Sequence, residues 1–98
     1  MYVIRMLPLI KFTININEPS VYEPFSKAMK DFYSLAGQHI TRGEDLFFID
    51  KLLYNWVTVM VDRRRTCEGV LVDGNWDECY FDTKYAGFEV KAMIVFTS

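Results

Sequence analysis

The sequence is poor in the residues that build most active centres. It has one histidine, His39, and no HExxH, which excludes a His-rich zinc or iron site. Its two cysteines, Cys67 and Cys79, have eleven residues between them and form no CxxC, so neither a disulfide scaffold nor a zinc knuckle is expected. The five glycines never fall into GxGxxG or a P-loop, so no standard phosphate cradle is present. No window reaches the roughly 18–20 uncharged apolar residues of a membrane helix. Arg5 and Lys11 interrupt the apolar N-terminal run and no small-residue cleavage site follows, so no signal peptide is expected. Asn-x-Ser/Thr is also missing. These absences lead to the expectation of a cytoplasmic, membrane-free, non-enzymatic protein without cofactor or metal. An excess of either charge is missing too: 11 Lys and Arg against 13 Asp and Glu leave a net −2, which does not suit a generic polyanion binder.

What the chain has is apolar content and aromatic rings. Hydrophobic residues reach 51%, enough to oppose chain entropy and exclude disorder. The length of 98 residues sets a single domain over 1–98. Eight Phe, six Tyr and two Trp are an unusual number; many fall on expected core parities, and Trp76 and Tyr80 are the exceptions.

Periodicity predicts an α+β fold. Tyr2, Ile4, Met6, Pro8, Ile10, Phe12, Ile14 and Ile16 share one parity, which reads as a long strand with a buried even face. Pro8 has no amide to donate and places that strand at an edge or on a bulge. Ser20 and Glu23 have capping-box spacing, and Pro24 suits a first helical turn. Phe25, Ala28, Met29, Phe32, Leu35 and Ala36 then recur at helical intervals up to Gly37. Thr41-x-x-Glu44 opens a stretch, 44–53, that fits a short second helix or a buried strand; the helix is the reading adopted. From Asn55 onward Val57, Val59 and Val61 alternate with Thr58, Met60 and Asp62, as in a strand. Asp73-Gly74-Asn75 signals a hairpin between strands at about 67–72 and 76–82. A break near Thr83–Gly87 precedes a last strand carrying Phe88, Val90, Ala92, Ile94 and Phe96. The expected architecture is an antiparallel sheet of about five strands with one main helix, plus the short second one, on one face. The order is β-α-(α)-β-β-β-β. In architecture alone this order resembles the cystatin-like arrangement of a helix gripped by a curled sheet, and no family motif accompanies it.

The distribution of charge is the most specific functional signal. Between Thr66 and Thr83 lie Glu68, Asp73, Asp77, Glu78 and Asp82 with no Lys or Arg, a net −5 against about +3 elsewhere. Trp76 and Tyr80 share parity with Glu78 and Asp82. Acids interleaved with large aromatics suit capture of a basic surface, because carboxylates steer while rings anchor. The plainer reading is a solvated hairpin whose aromatics pack inward. Arg63-Arg64-Arg65 stands just before it and reads as a phosphate-binding strip or as a strand end that neutralises the acids. Direct nucleic-acid binding is not expected from three arginines beside five acids. A hairpin register with a three-residue loop opposes Cys67 to Cys79 and permits a cross-strand disulfide; a two-residue loop does not. A Cys–His pair with His39 has no support beyond the presence of both residue types. Glu44/Asp45, Asp62 and Asp77/Glu78 read as solvated carboxylates rather than acid/base pairs.

The resulting expectation is a small binding protein of inhibitor or adaptor type, such as a viral or mobile-element accessory factor. It uses Glu68, Asp73, Trp76, Asp77, Glu78, Tyr80 and Asp82 to occupy a basic surface of a larger protein or protein–nucleic acid complex. The alternatives are a self-assembling homodimer paired through its first and last strands, and a weak nucleic-acid binder working through Arg63–Arg65.

Overall fold

The computed structural model describes residues 5–66 and 77–97. Its elements run β1 (Arg5–Met6), β2 (Ile10–Asn15), α1 (Tyr22–Ala36), α2 (Gly43–Thr66), β3 (Asp77–Tyr85) and β4 (Phe88–Thr97). Both helices pack on one face of the sheet. β4 is the central strand. β1 and β2 follow one another along one side of it, parallel to it, and β3 lies antiparallel on the other side. The four segments thus occupy three strand positions in a mixed sheet.

This corrects the expected five-stranded antiparallel sheet, and with it the cystatin-like order. The first correction concerns 55–66. That stretch is not a strand but the second half of the 24-residue helix α2. Ile49, Leu53, Val57 and Val61 are buried at intervals of four and make one stripe against the sheet, whereas Val59 points away and is exposed. β-branched residues favour strands only weakly, and burial of a continuous stripe outweighs that preference. The helix ends agree with its dipole: Glu44 and Asp45 lie in the first turn, Arg63, Arg64 and Arg65 in the last.

The second correction concerns β4, which is central rather than an edge. Val90, Ala92, Ile94 and Phe96 face the helices, and Val95 is buried on the opposite face. Burial on both faces is what a strand flanked on both sides tends to show. The third concerns the N-terminal strand, whose even-numbered face is not continuous. Met6 pairs with Glu89 but Ile10 with Ala92, so one extra residue is accommodated at Leu7-Pro8-Leu9. Parity slips there: Leu7 is buried and Leu9 is 57% exposed, while Ile10, Phe12 and Ile14 resume the buried face.

The turn between β3 and β4 is Ala86-Gly87, with Tyr85 paired to Phe88 across it. Both turn residues have positive φ, 49° and 83°, as a two-residue hairpin that matches strand twist requires. β3 therefore runs through the break expected near Thr83. The expected hairpin turn at Asp73-Gly74 and the strand at 67–72 lie outside the described residues.

α1 follows its predicted spacing at Phe25, Met29, Phe32 and Ala36, which are buried, whereas Leu35 of the same expected stripe is exposed. Ser20 Oγ accepts the Tyr22 amide at 3.2 Å, and Pro24 falls in the first turn, where no intrahelical donor is needed. Rings join the layers: Phe12 stacks on Phe25 at 5.3 Å, and Trp56 meets Phe81 at 4.9 Å. Much of the aromatic surplus is thereby consumed at the helix–sheet interface. Among the described residues no helix is long and apolar enough to cross a membrane.

Candidate functional site

β3 is backed by α2 along its length. Arg64 Nη2 donates to Cys79 Sγ at 3.6 Å, Trp56 covers Phe81, and Phe48 stacks on Tyr85 at 4.9 Å. At the far end the Tyr85 hydroxyl donates to Asp45 Oδ1 at 3.2 Å. Asp45 is 8% exposed, so the solvated reading fails for this carboxylate, which joins the start of α2 to the hairpin. Burial, and then the bond to Asp45, raise the Tyr85 pKa above its ordinary value.

With odd-numbered side chains held inward, Glu78, Tyr80, Asp82 and Lys84 are all exposed on the outer face. Tyr80 is 70% exposed, the most open large hydrophobic side chain among those described. Its hydroxyl donates to Glu78 Oε2, and this bond is the main reason its pKa is raised. Across the ladder Tyr80 faces Met93, Asp82 faces Lys91 and Lys84 faces Glu89. Lys91 also pairs with Glu89 at 3.3 Å. The acidic end of β3 thus lies at Glu78–Asp82, and the charges mix toward the turn.

Backbone pairing adds a second property. In a two-residue hairpin Tyr85 and Phe88 exchange both hydrogen bonds, and the alternation then continues along the ladder. The N–H and C=O groups of Cys79, Phe81 and Thr83 point to β4. Those of Glu78, Tyr80, Asp82 and Lys84 point away from the sheet. Among the described residues no strand pairs with that side of β3.

The structure brings Glu78, Tyr80 and Asp82 together and sets Asp77 at the start of the same strand. Glu68, Asp73, Trp76 and Cys67 lie outside the described residues, as does the Cys67–Cys79 disulfide register. Cys79 is a half-buried free thiol. It lies at the Arg64 end of α2, while exposed His39 sits just before the other end. A 24-residue helix spans about 36 Å, which separates them and removes the Cys–His pair.

The three arginines form no extended strip. They turn in different directions from a helix end. Arg64 lies 5.4 Å from the centre of the Phe96 ring, and Arg65 donates to the carbonyls of Ile16 and Glu18. Arg65 thereby fastens the β2–α1 loop to the end of α2.

A feature not legible in the linear sequence is a groove of about 790 Å³ between α1 and α2. Buried Phe25 and Met29 line it together with exposed Tyr22 and Tyr54, and Phe25 and Tyr54 meet edge to face at 4.9 Å. Tyr33 and Asp50 line it from opposite helices. Burial first, and then Asp50, raise the Tyr33 pKa well above the ordinary phenol range. Each helical stripe is legible in sequence, but the groove exists only because α2 runs unbroken from Gly43 to Thr66 beside α1.

Among the described residues no group of three His, Cys, Asp or Glu side chains is placed to hold a metal ion. Comparison with known proteins finds no family model that matches the chain, and no curated protein or solved structure that matches it significantly.

Proposed function

We propose that this chain is a non-enzymatic protein-binding module whose working surface is the outer face of β3 and the side of it that pairs with no strand among the described residues. The observation that carries this reading is Tyr80, 70% exposed between two carboxylates on a strand whose other face is packed against α2. The partner is a basic segment of a larger protein or of a protein–nucleic acid complex, taken up in extended form. Its main chain adds to β3 through the outward amides and carbonyls, and its Lys or Arg side chains meet Glu78 and Asp82. Tyr80 supplies apolar area at low entropic cost.

The test uses a Lys/Val-alternating peptide and its Glu/Val counterpart, with binding read by fluorescence anisotropy. Capture of the Lys peptide alone, weakened about tenfold by Glu78→Lys with Asp82→Lys, supports the reading. Equal binding of both peptides, or no effect of the charge reversal, contradicts it.

Self-pairing of two copies is the second reading, and the open side of β3 favours it. The last strand, being central, no longer offers the edge first expected for a dimer. Light scattering separates the two: a monomer over the working concentration range removes self-pairing.

A further inference from the structure

The groove between α1 and α2 lies in the helical layer, away from the outer face of β3, and is independent of the reading above. Its volume of about 790 Å³ falls in the range of small-molecule sites, which are mostly apolar with a few orienting polar groups. Tyr22 and Tyr54 supply exposed ring surface, and Phe25 and Met29, nearly fully buried, form the apolar floor beneath them. This end of the groove suits an alkyl or aryl body.

The other end carries charge. Lys30 comes from α1 and Lys51 from α2, and both line the same cavity. Among the described residues neither has an ion-pair partner; the Lys51 ammonium rests over the Phe47 ring at 4.9 Å. The single carboxylate present is Asp50, which lines the cavity beside Tyr33. Counting Lys30, Lys51 and Asp50, the cavity carries a net +1, and its cations come from opposite walls. Such a site favours an anion over a cation. Two ammonium groups on one carboxylate also make charge-assisted hydrogen bonds, which are stronger than neutral ones.

We propose that this groove binds a small amphipathic anion, an alkyl or aryl carboxylate, with its body on Phe25 and Met29 between Tyr22 and Tyr54 and its carboxylate between Lys30 and Lys51.

The test is amide chemical-shift titration of the intact protein with decanoate, with decyltrimethylammonium as the cationic control of like chain length. Saturable shifts with decanoate, centred on residues 22–33 and 50–58, together with a much weaker response to the cation, support the proposal. Lys30→Ala with Lys51→Ala should weaken decanoate by about tenfold. Both side chains are exposed, and an unchanged spectrum of the unliganded variant shows that the fold is kept. Ser26→Trp, which fills the groove without removing charge, should also block binding. Equal binding of anion and cation overturns the proposal, as do shifts centred elsewhere or an unaltered affinity in the double variant. Binding of an amphipathic helical peptide in preference to decanoate overturns it in favour of a protein occupant.

Discussion

At the residue scale, the polar groups that matter are fixed by what lies next to them. Asp45 sits in the first turn of α2, where a negative charge suits the dipole, and its oxygen receives the Tyr85 hydroxyl. Arg65 looks in sequence like one third of a phosphate site, yet in the fold it satisfies the carbonyls of Ile16 and Glu18. Tyr33 shows the same logic through its pKa. Burial and the neighbouring Asp50 carboxylate hold its hydroxyl protonated in the native state. The unfolded phenol titrates near about pH 10, so above that pH the unfolded chain loses a proton that the folded chain keeps. Stability is therefore complete below about pH 10 and falls as pH rises beyond it. Urea midpoints at about pH 9 and about pH 11.5 should show a smaller drop for Tyr33→Phe than for the parent chain. Equal drops would show that Tyr33 does not contribute to the alkaline limb.

At the element scale, α1 and β4 were legible because one simple period covers each. Phe25, Met29, Phe32 and Ala36 keep helical spacing, and Val90, Ala92, Ile94 and Phe96 keep alternation. The second half of α2 was not, because Val57, Val59 and Val61 satisfy two periods at once. Alternation puts all three on one face, whereas intervals of four keep Val57 and Val61 and release Val59. The difference is testable: Val57→Asp should unfold the domain or cost more than about 3 kcal/mol. Val59→Asp should stay within about 0.5 kcal/mol, as surface changes usually do. Comparable losses at both positions would restore the strand. The slip at Leu7-Pro8-Leu9 was only half legible. Proline announced an interruption, but the change of buried parity depends on pairing with Glu89 and Ala92.

At the scale of the whole molecule, two layers present two different surfaces. The helical layer carries an aromatic groove flanked by lysines, and the sheet carries an acidic, tyrosine-bearing strand that is outermost among the described residues. The charge segregation seen in the linear sequence survives in part. Glu78 and Asp82 remain exposed on one strand, while Lys84, Glu89 and Lys91 mix both signs toward the turn. The sequence pattern could locate the acids but not the place of β3 beside β4 among the described strands, since strand order is set by long-range pairing. Placing β4 between the N-terminal strand and β3 puts Tyr80 on the margin of the sheet formed by the described residues rather than in its middle. The binding proposal depends on that placement. Its charge arm, reversal at Glu78 and Asp82, tests the chemistry of recognition. The position of the margin needs a separate readout.

Amide hydrogen exchange resolved by residue along β3, with and without the Lys/Val peptide, supplies it. In the unliganded protein the amides of Cys79, Phe81 and Thr83 should be protected, and those of Glu78, Tyr80, Asp82 and Lys84 should exchange quickly. Peptide binding should slow the second set. Protection of Glu78, Tyr80, Asp82 and Lys84 before any partner is added, or continued fast exchange at saturating peptide, would contradict β3 as the binding strand.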